Sequence, residues 1–184
     1  MTKKIICCGD SNTYGYDPRS YLGDRYPASC RWPELLAAQG GWAVRNDGLN
    51  GRVIPRSALS FPPDTDLLIV MLGTNDLLHG SAPEAAAERM GAFLGALSLE
   101  REFILLLAPP PLKRGEWVTD AALLEASRAL AGCYRELAGR LGVSFADAGG
   151  WDIDLAYDGV HFSEEGHRSF ARHLLPLVAK HFAE

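Results

Sequence analysis

Gly9-Asp10-Ser11-Asn12, Gly48-Leu49-Asn50-Gly51, Gly73-Thr74-Asn75-Asp76 and Asp158-Gly159-Val160-His161 are four short polar clusters, each following an apolar run. Taken singly they say little. A serine after Gly-Asp is an ordinary helix cap or turn residue, Gly51 an ordinary turn glycine, and Asn75 a cap or turn residue. Asp158 and His161 read equally as a turn with a surface salt bridge or as two metal ligands. Together the clusters answer one chemical requirement. A neutral serine hydroxyl is a poor nucleophile and needs a base within hydrogen-bond reach. His161 can be that base, because an unperturbed imidazole titrates at about 6.5. Asp158 precedes it by three residues in one tight loop, so both side chains can turn the same way. The carboxylate can then fix the imidazole tautomer and stabilise the imidazolium. Attack on an acyl carbon creates an oxyanion that needs preorganised donors. The backbone N–H groups of Ser11 and Gly51 and the side-chain amide of Asn75 would supply three. Glycine at 51 keeps side-chain atoms away from the substrate oxygen.

Such residues must be brought to one place by the elements between them. Five apolar runs stand out: Lys4–Cys8, Trp42–Asn46, Leu67–Leu72, Phe103–Ala108 and Val143–Ala146. Four are almost continuously hydrophobic, as strands buried on both faces are. The second is more polar and fits an edge strand. Helical spacing appears over Pro33–Gln39, Pro83–Leu97 and Ala121–Leu141, with proline at a permitted first-turn position in the first. Ser163 can cap a last helix whose first turn holds Glu164 and Glu165. Pro176 inside that helix should bend or break it. Alternating strand and helix predict an α/β fold with a parallel sheet. Ligands bind outside the carboxyl ends of such strands. All four clusters, and the irregular stretches Tyr14–Cys30 and Pro109–Thr119, converge on that edge.

Ser11, Gly51, Asn75 and His161, in this order and these contexts, resemble the four signature blocks of the SGNH hydrolase superfamily, also called GDSL esterases and lipases. The likeness runs from Ile5 to beyond His167. It implies a flavodoxin-like three-layer α/β/α sandwich with five parallel strands in order 2-1-3-4-5. It also implies Ser11 as nucleophile, His161 as base, Asp158 as its orienter, and Ser11, Gly51 and Asn75 as oxyanion donors. Cys8-Gly9-Asp10-Ser11-Asn12-Thr13-Tyr14-Gly15-Tyr16 and Pro109-Pro110-Pro111 are most similar to the arylesterase and acyltransferase branch. Members of that branch form oligomers whose neighbours wall the pocket, which leaves a homo-oligomer open here. The departure is Asn12, where the GDSL name expects leucine. That position holds no catalytic role in the family, so acyl preference rather than the triad is what it touches.

The expected activity is therefore that of a serine esterase cleaving small carboxylic esters through an acyl-enzyme, with no metal or organic cofactor implied. A carbohydrate O-deacetylase or a thioesterase would use the same triad, and transfer to an alcohol instead of water is open. Two rivals lie further off: a non-catalytic flavodoxin-like binding module, and a metal-dependent hydrolase using Asp10, Asp158 and His161, which lacks a third convincing ligand. Asn12, Tyr14, Trp117 and Val160 are the candidate pocket residues, while Tyr16 and Trp32 read as packing. Asp10 and Asp76 read as carboxylates that accept loop or helix-terminus N–H bonds. His79, His167, His173 and His181 have no evident partner. Arg52 and Arg56 could meet an anionic substrate but read better as a solvated loop.

With 184 residues, 47% apolar and 22% charged, the chain reads as one domain over 1–184. A net charge of −5 argues against a nucleic-acid partner. No run approaches the roughly 20 apolar residues of a membrane span, and the apolar stretch after Met1-Thr2-Lys3-Lys4 is too short for a signal-peptide core. Cys7, Cys8, Cys30 and Cys133 show no ligand spacing and read as reduced thiols of a cytoplasmic protein.

Overall fold

Each apolar run becomes a strand, and its composition explains its place in the sheet. The computed structural model describes residues 2–20 and 22–183; residue 21, inside the Tyr14–Cys30 stretch, and the two end residues lie outside the described residues. The strands are β1 (Lys4–Gly9), β2 (Ala43–Gly48), β3 (Leu67–Met71), β4 (Ile104–Ala108) and β5 (Ser144–Asp147). All pair in parallel, in the order β2-β1-β3-β4-β5. β3 and β4 are buried at every position, as their unbroken apolar sequence requires. β2 is the polar edge strand expected. β5 is the second edge, and only Ala146 of its four residues is buried. Its short apolar run therefore misleads, because an edge strand needs cover on one face only.

Alternation of side chains across the pleat sends neighbouring residues into separate cores. Cys8, Ile6, Leu68, Val70, Ile104 and Leu106 face one layer, made by α4 (Pro83–Gly95) and α5 (Ala121–Leu141). Cys7, Ile5, Leu67, Ile69, Leu105 and Leu107 face the other, made by α2 (Trp32–Gly40) and α6 (Glu164–His181). The result is the three-layer α/β/α sandwich.

α6 begins as its sequence predicts: Ser163 Oγ accepts from Gly166 N at 3.0 Å, with Glu164 and Glu165 in the first turn. Pro176 does not end it. A mid-helix proline costs about 3 kcal/mol. Phe170, Leu174 and Val178 are fully buried on this helix, each contributing about 1.5–3 kcal/mol. Packing outweighs the lost hydrogen bond. Two short helices, α1 (Ser11–Tyr14) and α3 (Thr74–Leu78), follow β1 and β3. At four and five residues they are too short to show a period in sequence. No helix among the described residues is long and apolar enough to cross a membrane.

Candidate active site

The carboxyl ends of β1 and β3 and the loops after β2 and β5 bring the four clusters together. Asp10 caps α1, its carboxylate accepting from Asn12 N at 3.0 Å, and so fixes Ser11 as the first helical residue. Ser11 Oγ lies 2.9 Å from His161 Nε2, and His161 Nδ1 lies 2.6 Å from Asp158 Oδ2. Asp158 Oδ1 accepts from Val160 N (2.8 Å) and His161 N (2.9 Å). Burial alone would raise the Asp158 carboxyl; the His161 hydrogen bond and the two backbone donors outweigh it and hold the group below its ordinary range. With Nδ1–H donating to this carboxylate, Nε2 is left to accept the Ser11 proton.

The loop carrying Asp158 and His161 is held from two sides. Within it, Ala156 N donates to His161 O at 2.7 Å, and Leu155 bridges Phe162. The segment after β4 docks against it: Lys113 N donates to Gly159 O (3.0 Å) and Trp117 N to Asp158 O (3.1 Å). Gly159 is required there, since its φ is +81° and a Cβ would stand 2.1 Å from Lys113 O.

A pocket of about 280 Å³ opens over Ser11 and His161, lined also by Gly51, Asn75 and Val160. Gly51 has φ +70° in a turn closed by Arg52 N donating to Leu49 O at 3.1 Å. Asn75 Nδ2 donates one hydrogen to Arg52 O at 3.1 Å, which fixes the amide and leaves its other hydrogen for a group in the pocket. Trp117 and Val160 line the pocket as the sequence suggests; Asn12 and Tyr14 do not. Tyr14 lies under the Arg25 guanidinium, 4.3 Å from its ring centre. Tyr16 takes the place expected of Tyr14. Its ring sits 4.7 Å from that of His161, with Trp117 edge-on at 5.3 Å. Asn50, from the Gly48–Gly51 cluster, and Leu78 complete the wall, and neither is among the expected pocket residues.

Asp76, Arg52, His167 and His173 have structural partners. Asp76 accepts from Ile54 N (3.0 Å) and pairs with Arg89 (3.0 Å). Arg52 is neither solvated nor aimed at the pocket: its guanidinium turns back onto Asp47 O and Gly9 O at the ends of β2 and β1. His167 is buried with Nδ1 accepting from Trp32 N at 3.4 Å, and burial, with Arg31 and His161 nearby, depresses its pKa to about 3, leaving it neutral. His173 stacks on Trp151. Asp10 faces Asn12 rather than joining Asp158 and His161 as a ligand set. Among the described residues no three His, Cys, Asp or Glu side chains are grouped to hold a metal ion.

Burial pushes the Asp10 carboxyl up to about 6, against the Asn12 N–H and His161, which pull it down. The native state thus holds a proton that the unfolded chain releases near the ordinary value of 3.8. Native protein binds more protons in that window, so stability falls as pH rises from about 4 to about 6. Asp10→Asn removes this decline. Relative to the parent it is expected to be more stable near pH 7 than near pH 4 by on the order of 3 kcal/mol. Urea unfolding at the two pH values measures this, and an equal difference at both would contradict it.

Comparison with known proteins gives a consistent set. The family profile described as the GDSL-like Lipase/Acylhydrolase family matches residues 7–169. The structure is similar to a provisionally named arylesterase from Agrobacterium tumefaciens str. C58, at 31% identity over 97% of this chain and 99% of that one, with a TM-score of 0.81. It is similar to the native M. smegmatis aryl esterase, at 26% identity, the same coverage and a TM-score of 0.83. It is also similar to a carbohydrate acetylesterase from Sinorhizobium meliloti, at 27% identity over 97% and 99%, with a TM-score of 0.80. No curated protein sequence matches.

Proposed function

This chain belongs to the GDSL-like lipase/acylhydrolase family and is a carboxylic ester hydrolase, and from that premise we propose that it cleaves small esters by two-step acyl transfer through Ser11, His161 and Asp158. The observation that carries the reading is the unbroken chain from Ser11 Oγ through His161 to Asp158, at 2.9 and 2.6 Å. Ser11 Oγ bonds to the ester carbon while its proton passes to His161 Nε2. The carbonyl oxygen becomes an oxyanion, held by Ser11 N–H, Gly51 N–H and the free hydrogen of the Asn75 amide. Its collapse expels the alcohol, which takes the proton from His161. Water, or a second alcohol, then gives its proton to His161 and resolves the acyl-enzyme, restoring Ser11.

The pocket supports a short acyl group. About 280 Å³ lies below the roughly 300–1,000 Å³ of sites for drug-sized ligands. Its walls at Tyr16, Leu78, Trp117 and Val160 favour an aryl or alkyl ester over a sugar acetate, although neighbours of both kinds exist. A series of p-nitrophenyl esters tests this, read with mass spectrometry of the acylated serine. kcat/KM is expected to peak among the shortest acyl groups and to fall at least about tenfold by octanoate. A maximum at long chains, or faster turnover of acetylated sugars, would replace this substrate class. The whole reaction sits in one domain over 1–184. The four free cysteines support a cytoplasmic location.

A further inference from the structure

Asn12 stands beside Ser11, yet it is 4% exposed and each of its polar atoms has a protein partner. Its N–H donates to Asp10 Oδ1 (3.0 Å) and its carbonyl accepts from Trp32 Nε1 (3.0 Å). Its side-chain Oδ1 accepts from Phe162 N (2.8 Å), and Nδ2 donates to Val160 O (3.1 Å). The side-chain amide therefore grips the residues on both sides of His161. It does so from the residue next to Ser11, although the two segments lie about 150 positions apart.

The backbone hydrogen bonds of the His161 loop hold it to itself and to the segment after β4, while Tyr157 Oη donates to Pro18 O at 2.7 Å and the Tyr16 ring packs on His161. Apart from the Ser11–His161 contact, the hydrogen bonds described between residues 10–14 and 155–162 are these two. They are also buried and paired donor to acceptor, so neither can be replaced by water without opening the joint. An apolar side chain at 12 could make neither.

We propose that Asn12 is the positioning residue that registers the base against the nucleophile; this rests on Ser11 and His161 having the roles proposed above. Asn12 touches no reacting atom. It sets where Nε2 stands relative to Oγ, and a displacement of about 1 Å at such a distance can cost on the order of 10²-fold in rate.

Asn12→Ala and Asn12→Asp, assayed with p-nitrophenyl acetate and with a phosphonate ester probe of Ser11, test the proposal. Asn12→Ala is expected to lower kcat by about 10²-fold. KM should stay within about threefold, since Asn12 does not itself line the pocket. The pH–rate profile should keep its shape, because the surroundings of the imidazole keep their charge. Phosphonate labelling should slow in the same proportion as kcat. Asn12→Asp is near-isosteric: its carboxyl keeps the acceptor for Phe162 N–H and, protonated, donates to Val160 O, whereas ionisation would set two acceptors against each other in the buried joint. It should retain more activity than Asn12→Ala, and it decides the matter if Asn12→Ala does not fold. kcat within about threefold of the parent in the folded variants overturns the proposal, as does a loss confined to KM or one that vanishes on correction for folded fraction. Ser11→Ala run alongside separates the two readings. Parental activity there removes the nucleophile assignment itself, whereas an inactive Ser11→Ala with normal Asn12 variants removes only the role given to Asn12.

Discussion

Ser11→Ala is expected to lower kcat for ester hydrolysis by on the order of 10⁶-fold and to leave the unfolding transition close to the parent's. The side chain is small and buried, and its hydroxyl pairs with His161 Nε2 at the pocket floor. Removing one oxygen there opens no apolar cavity, and a pocket water can take its place on Nε2. Chemistry is lost because, among the described residues, Ser11 Oγ is the hydroxyl or thiol paired with Nε2: Cys7, Cys8 and Cys30 are buried, and the first two face opposite cores of the sheet. Burial also pushes the Cys8 thiol up to about 11, which keeps it protonated and unreactive. Adding His161→Ala to Ser11→Ala should cost little more, because the two groups act as a unit and their losses do not add. Steady-state hydrolysis of p-nitrophenyl acetate by the single and double variants measures both statements. A single variant within about tenfold of the parent, or a double variant whose loss is the product of the singles, would sink them.

What the sequence disclosed about this site follows from the length scale of each signal. Strands buried on both faces announce themselves as apolar runs, so β1, β3 and β4 are legible, and their parallel order brings Ser11 and Asn75 to one edge. Asp158 and His161 are legible because their partnership is local, three residues apart in one loop. Tyr16 is not. Its place beside His161 depends on the Tyr14–Cys30 stretch folding back so that Tyr16 bridges Arg25. That is a long-range contact with no periodicity, and Tyr16 lies two residues beyond the expected Tyr14. Asn12 is the same kind of case. Adjacency to Ser11 suggests a pocket residue, but α1 turns the next side chain after Ser11 away from the pocket and into the joint with residues 160–162. Arg52 reads as a surface residue because its two backbone acceptors belong to strand ends that the sequence does not place beside it. Pairings between distant segments escape a reading built on spacing; the chemistry those segments carry does not.

Asp158→Asn separates the geometry of the site from its protonation. The substitution is expected to lower kcat by about 10⁴-fold with the backbone arrangement kept. The parent carboxylate has two jobs: Oδ1 accepts from Val160 N and His161 N, and Oδ2 accepts from His161 Nδ1. An asparagine that keeps its oxygen on the two backbone donors must present its NH₂ to Nδ1. Nδ1 then becomes an acceptor, the ring proton moves to Nε2, and Nε2 donates to Ser11 instead of taking its proton. Flipping the amide restores the tautomer but sets NH₂ against two backbone N–H groups, a buried conflict that costs about 1–3 kcal/mol for each unsatisfied donor. The first arrangement is inactive, and the cost of the second leaves it sparsely populated. The same substitution has a stability signature. The Asp158 carboxyl titrates lower in the folded chain than in the unfolded one. Its contribution is therefore fully present above the unfolded value of about 3.9 and is lost as pH falls through the lower folded value. Asp158→Asn lacks that contribution, so the parent's advantage in urea unfolding should be largest at neutral pH and shrink in acid below about pH 4. Activity within about tenfold of the parent would refute the orienting role. An advantage that grew toward acid would refute the sign of the carboxylate's contribution.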